Sequence, residues 1–155
     1  MFEIEGIIQF DPINVTKKHN QQSTWKKVAI VKFDCDIFGL YRWYIKKRFN
    51  LKLNTPLRGS HLTFINDIID DDTYLQAKEM FDGKLVKVVY FPQDIESNIK
   101  GHWWIPADSN DCSQIRLVMG LGNPYFDYHI TIGRATHLEL EHSNYILDQC
   151  IRFNL

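Results

Sequence analysis

Residues 2–10 (FEIEGIIQF) alternate in part between apolar and polar positions and predict a strand, which Asp11-Pro12 ends. Residues 16–24 are polar and rich in Lys, Gln and Asn, as in an exposed loop. Residues 25–33 (WKKVAIVKF) predict a second strand, because Val28, Ile30 and Val31 favour the extended backbone. Cys35 and Asp36 then open a helix running to about Phe49. Ile37, Leu40, Tyr41, Tyr44 and Ile45 recur there at three- and four-residue spacing. Lys46, Lys47 and Arg48 fall in its last turn, where cations complement the helix dipole.

Asn54-Thr55-Pro56 and Gly59 punctuate the chain before a strand carrying His61. Asp70, Asp71 and Asp72 precede a helical pattern over residues 73–81, which Gly83 stops. Acids at a helix start explain this triplet more cheaply than a metal does. Residues 84–91 (KLVKVVYF) predict a strand closed by Pro92. Residues 101–105 (GHWWI) and 113–119 predict two more. Gly120, Gly122, Asn123 and Pro124 form a turn feeding a strand with His129, and residues 144–153 read as an amphipathic C-terminal helix. The order is β-β-α-β-α-β-β-β-β-α. Without sustained βαβ alternation, the class is α+β rather than a doubly wound parallel sheet. One His strand and one helix in each half hint at an internal duplication.

The two His strands share one chemistry. Ser60-His61-Leu62-Thr63-Phe64-Ile65 and Tyr128-His129-Ile130-Thr131-Ile132-Gly133 each contain a His-apolar-Thr-apolar tetrad, 68 positions apart. Residues i and i+2 of a strand share a face, so His61 projects with Thr63, and His129 with Thr131. The intervening Leu62, Phe64, Ile130 and Ile132 then enter a core. With six His and seven Thr in 155 residues, about 0.3 His-x-Thr matches arise by chance, so one copy means little and two in matched context mean more. Side by side, two imidazoles and two hydroxyls suit a phosphodiester: one His takes a proton, the other gives one, and the hydroxyls hold phosphate oxygens. His19, His102, His137 and His142 form no pattern.

Composition narrows the partners. The chain suits one domain of 155 residues, 45% apolar and 24% charged. A net charge of −1 excludes a broad basic field for long nucleic acid and leaves room for a small anion held locally. Cys35, Cys112 and Cys150 show no CxxC or CxxH spacing, which argues against a disulfide framework or zinc site and fits a reducing cytosol. The acidic start Met1-Phe2-Glu3-Ile4-Glu5 is unlike a signal peptide, and no apolar run approaches membrane-spanning length. A cytoplasmic protein with no membrane partner is expected. Two His with only Asp67 and Asp127 nearby in sequence make a poor ligand set, so no metal and no cofactor are expected.

The paired His61/Thr63 and His129/Thr131 resemble the signature of the 2H phosphoesterase superfamily. That resemblance implies a single bilobal domain over residues 1–155, with antiparallel sheets around a central cleft and flanking helices. It also implies metal-independent cleavage of nucleotide phosphodiesters. Residues 41–49 (YRWYIKKRF), then Pro56 and Gly59-Ser60-His61, together with the short chain and residues 122–133, are similar to the small phage anti-CBASS phosphodiesterases. This implies a cyclic di- or trinucleotide substrate, and action in the host-cell cytoplasm. The bacterial RNA 2′,3′-cyclic phosphodiesterases are the nearest rival, and a non-catalytic nucleotide-binding sponge is a further alternative. Base preference, ring size and oligomeric state stay open.

A base-binding surface needs aromatics, and Trp103, Trp104, Tyr125, Phe126 and Tyr128 are dense around the second motif. Trp103, Tyr125 and Tyr128 are the expected substrate contacts, with Lys100 as a phosphate contact. Adjacent Trp103 and Trp104 must face opposite sides of their strand, so one of them is core. Tyr125, in the turn after Pro124, is the better stacking candidate.

Overall fold

The computed structural model describes residues 1–13, 26–136 and 138–139. Its strands are β1 (Phe2–Phe10), β2 (Ala29–Lys32), β3 (His61–Ile65), β4 (Leu85–Tyr90), β5 (Glu96–Ser97), β6 (His102–Asp108) and β7 (His129–Arg134). Its helices are α1 (Ile37–Phe49), α2 (Asp71–Phe81) and α3 (Asn110–Val118). The polar loop expected over residues 16–24, Trp25 at the head of the second strand, and the helix expected over 144–153 lie outside the described residues. So do His19, His137, His142 and Cys150.

The strands run antiparallel in the order β4-β1-β2-β3-β7-β6, and β6 pairs back onto β4 through Val89↔Asp108 and Tyr90↔Ala107. Six strands therefore close into a barrel, with β5 added along β6. This overturns the expected bilobal α+β arrangement of sheets around a cleft. The described residues share one core, with the barrel at its centre and three α-helices around it. Closure depends on β1 pairing with β4, as in Glu5↔Lys87, and on β4 reaching β6. β1 and β4 lie in opposite halves of the chain, and both pairings remove open sheet edges.

Alternation fills the interior. Ile8, Phe10, Val31, Leu62, Phe64, Val88, Ile105, Ile130 and Ile132 are all buried in one cluster. Burying each such side chain is worth about 1.5–3 kcal/mol. In α1 the buried residues are Phe38, Ile45 and Phe49, whereas the expected inward residues Ile37, Leu40 and Tyr44 are exposed. Apolar residues fall on several sides of this helix, so spacing alone did not choose its face. Phe38 meets Phe33, and it also meets Tyr90 edge-on. Arg42 donates to the Ile132 carbonyl at 3.0 Å and to the Asp36 carboxylate, which ties the helix to β7.

The strand expected over residues 113–119 is instead α3. The Ser109 hydroxyl accepts from Cys112 N–H at the helix start, and Cys112, Ile115 and Arg116 are buried at helical spacing. Val118 and Leu117, which suggested a strand, are exposed. In α2 the acidic triplet does act as a cap: Asp70 accepts from Thr73 N–H at 2.8 Å, with Asp71 and Asp72 in the first turn.

Candidate functional site

β3 and β7 are neighbours, paired His61↔Thr131 and Leu62↔Ile130. Continuing that register by one residue sets Thr63 across from His129. Leu62, Phe64, Ile130 and Ile132 have no more than 1% of their surface exposed, while the four motif residues are half-buried on the opposite, outer surface of the sheet. The His and Thr side chains thus share one strip, with cross-strand neighbours at about 4.5–5.5 Å between Cβ atoms and diagonal ones at about 7–8 Å.

Both imidazoles are held in the same way. His61 Nδ1 lies 2.8 Å from the Gly59 carbonyl and His129 Nδ1 lies 2.8 Å from the Asp127 carbonyl, each two residues back along the chain. A carbonyl only accepts, so each Nδ1 carries the proton. Each Nε2 of the neutral ring is then left as an acceptor. The His61 anchor is built by a tight turn over residues 56–59, closed by Gly59 N–H to Pro56 O at 2.9 Å. Gly59 has a φ of 73°, a conformation that favours glycine.

Burial pushes the His61 pKa down to about 4, against the opposing hydrogen bond to Gly59. The charge of Arg58 lowers it further. The ring is neutral across the physiological range.

Two cations border His61 that sequence reasoning did not assign to the site. Lys32, exposed at the end of β2, is the direct cross-strand partner of His61. Arg58, at the turn before it, has a buried Nη2 that makes no hydrogen bond. The phase of residues 28–33 held the signal for Lys32, but only with the β2–β3 register in hand.

The expected aromatic contacts are redistributed. Trp103 is 4% exposed and packs on Phe49 at 5.3 Å, and Tyr128 is 7% exposed, so both belong to the core. The ring beside the motif is Trp104, 6.1 Å from His129 and edge-on to it. Its Nε1 donates to Glu96 at 3.0 Å. Tyr125 is 85% exposed and packs edge-on against Phe126 at 4.7 Å, in the loop leading to Asp127. Lys100 sits in the turn joined to the far end of β7 by Ala135 N–H to Gly101 O. That is roughly 16 Å along the strand from His129, so the fold does not bring Lys100 to the motif.

Arg116 holds the two motif strands in place. It is 2% exposed, and it donates to the Phe64 carbonyl, to both oxygens of Asp67 and to the Gly122 carbonyl. One guanidinium thus joins the end of β3 to the loop that precedes β7. The Asp67 pKa is lowered by Arg116 against the desolvation that opposes it.

Among the described residues no three His, Cys, Asp or Glu side chains cluster as a metal site would require. No described helix is long and apolar enough to cross a membrane. A separate apolar groove of about 810 Å³ runs between α1 and residues 92–97, lined by Trp43, Tyr44, Phe49 and Trp103 among others. None of the four motif residues lines it. Comparison of the chain with protein-family models, with curated proteins and with solved structures found no match.

Proposed function

We propose that this protein is a metal-independent phosphodiesterase of cyclic di- and trinucleotides, with His61 and His129 as its proton-transfer pair. The observation that carries the reading is the His61↔Thr131 register together with the matched Nδ1 anchors. The barrel gives the reading no fold-level support, and it rests on the site alone. The choice of cyclic oligonucleotides, and with it evasion of CBASS immunity by a phage in its host's cytoplasm, comes from the resemblance of residues 41–61 and 122–133 to the anti-CBASS enzymes.

Neutral His61 accepts the proton of a ribose 2′-OH through Nε2. The 2′ oxygen forms a bond to phosphorus while the P–O5′ bond breaks, and His129, which enters this step as the imidazolium with a second proton on Nε2, gives that Nε2 proton to the leaving 5′ oxygen. Thr63 and Thr131 donate hydrogen bonds to the non-bridging oxygens as charge grows on them. The product is a 2′,3′-cyclic phosphate, which water opens with the two His roles reversed.

The test is incubation with 3′-5′-linked cyclic di- and trinucleotides, their 2′-deoxy analogues and 2′,3′-cyclic mononucleotides in excess EDTA, with chromatographic separation of products. Cleavage of the ribose rings with a 2′,3′-cyclic phosphate end, and none of the deoxy rings, is expected. EDTA-sensitive hydrolysis of deoxy substrates overturns the mechanism. Turnover confined to cyclic mononucleotides replaces the substrate class with RNA ends, and tight binding without turnover replaces the enzyme with a sponge.

A further inference from the structure

We propose that Arg58, with Lys32 beside it, forms the cationic wall that captures the phosphate at the His61 end of the motif strip. The inference deepens the phosphodiesterase reading and rests on that reading's placing a phosphate there. Arg58 stands on the turn over residues 56–59, the same turn whose Gly59 carbonyl fixes the His61 ring. Its Nη2 is buried and makes no hydrogen bond, and buried charged donors without an acceptor are rare in native structures. Arg58 stands three residues before His61, and its charge lowers the His61 pKa.

Lys32 approaches from the other side. It is the Cα partner of His61 across β2–β3, on the same face of the sheet, and no ion pair is formed by it among the described residues. The row across four strands is therefore Lys32, His61, Thr131 and Trp104, from the β2–β3, β3–β7 and β6–β7 registers. Cations stand at one end of the row, hydroxyl and imidazole in the middle, and an aromatic ring at the other end. A chain of net charge −1 has no general attraction for anions, so a local pair of cations has to supply it. Arg58 offers a planar two-donor fork to phosphate oxygens, and Lys32 a point charge. The site so built takes a phosphate monoester or diester with a base at the Trp104 end.

The experiment follows the His61 ring proton by NMR during titration with inorganic phosphate and with adenosine 5′-monophosphate, in wild type, R58Q, R58K and K32Q. Cyclic-dinucleotide turnover is measured on the same proteins. Saturable movement of the His61 signal is expected in wild type, with affinity about tenfold or more weaker in R58Q and partly recovered in R58K. A smaller loss is expected in K32Q, and KM rises more than kcat falls. Thermal unfolding of each variant shows that the fold is kept, and R58K serves where R58Q does not fold. Wild-type affinity for phosphate in R58Q or R58K, or a His61 signal that phosphate leaves unmoved, overturns the inference. Arg58-dependent phosphate binding in a protein that cleaves no phosphodiester leaves the inference standing and removes the enzyme reading.

Discussion

His61 stands directly across the β3–β7 ladder from Thr131, so each motif meets the other's partner rather than its own kind. The antiparallel register crosses the two tetrads, and the next step along it sets Thr63 against His129. Each imidazole thereby has one hydroxyl two residues away on its own strand and one across the ladder. A phosphate above the strip meets a donor on either side, whichever ring acts as base.

His61→Ala and His129→Ala should each lower turnover about a hundred- to ten-thousandfold, the usual contribution of a general acid or base. The double variant should be little worse than either single one, because the pair acts as a unit. Both side chains are half-buried on the outer surface, so the fold should survive. Steady-state rates on a cyclic dinucleotide, with thermal unfolding alongside, decide it. Near-wild-type rates in either single variant refute the role.

The low pKa of His61 makes a stability prediction with a definite sign. In the folded protein it is about 4, against about 6.5 in the unfolded chain. Between those values the unfolded state binds the proton and the folded state does not, so stability falls as pH drops from about 6.5 to 4. The slope contributed by this one group is at most about 1.4 kcal/mol per pH unit. His61→Gln should lose that part of the slope. Urea unfolding at pH 7, 6 and 5 measures it, and parallel curves for wild type and variant would show that burial does not depress the ring.

The alternation of residues 61–65 and 129–134 predicted both motif strands and which side chains face the core, because period-two burial is a local property. The barrel was not legible, since it is made by β1–β4 and β4–β6 pairings that no local pattern encodes. Residues 113–119 misled because Ile115, Leu117 and Met119 alternate like a strand, while the decisive Ser109 cap lies four residues upstream. In the Trp103-Trp104 pair, sequence dictates that one ring faces in. A register shift between the two residues accompanies the outcome that it is Trp103. Arg58 and Lys32 were invisible as site residues because their relation to His61 depends on a turn and on a neighbouring strand.

Arg116→Met should destabilise the protein by about 3–5 kcal/mol, since it strands the Asp67 carboxylate and leaves the Phe64 and Gly122 carbonyls without their donor. Asp67→Asn should cost less, because the amide oxygen still accepts from the guanidinium. A double-mutant cycle by urea unfolding should show strong coupling between the two sites. Additive losses would mean that Arg116 acts through its backbone contacts alone.

Gly133→Ala tests the close approach that ends the second motif strand. A methyl group there would meet the Asn54 carbonyl oxygen and Leu53 Cβ, each at 2.8 Å. Asn54 is bonded to Arg134 in both directions, N–H to carbonyl at 2.8 and 3.2 Å, so it cannot retreat without breaking that bridge. Leu53 is 7% exposed and held in the core. The strain should therefore be relieved by shifting β7 itself, at a cost of about 1–3 kcal/mol. Displacing β7 also moves Thr131, two residues away, out of register with His61. The variant should lose catalytic rate at temperatures where it is still fully folded, whereas a variant of equal stability loss placed in α2, such as Ala77→Gly, should not. Equal rates in the two folded variants would show that the motif strip tolerates movement of the strand that carries it.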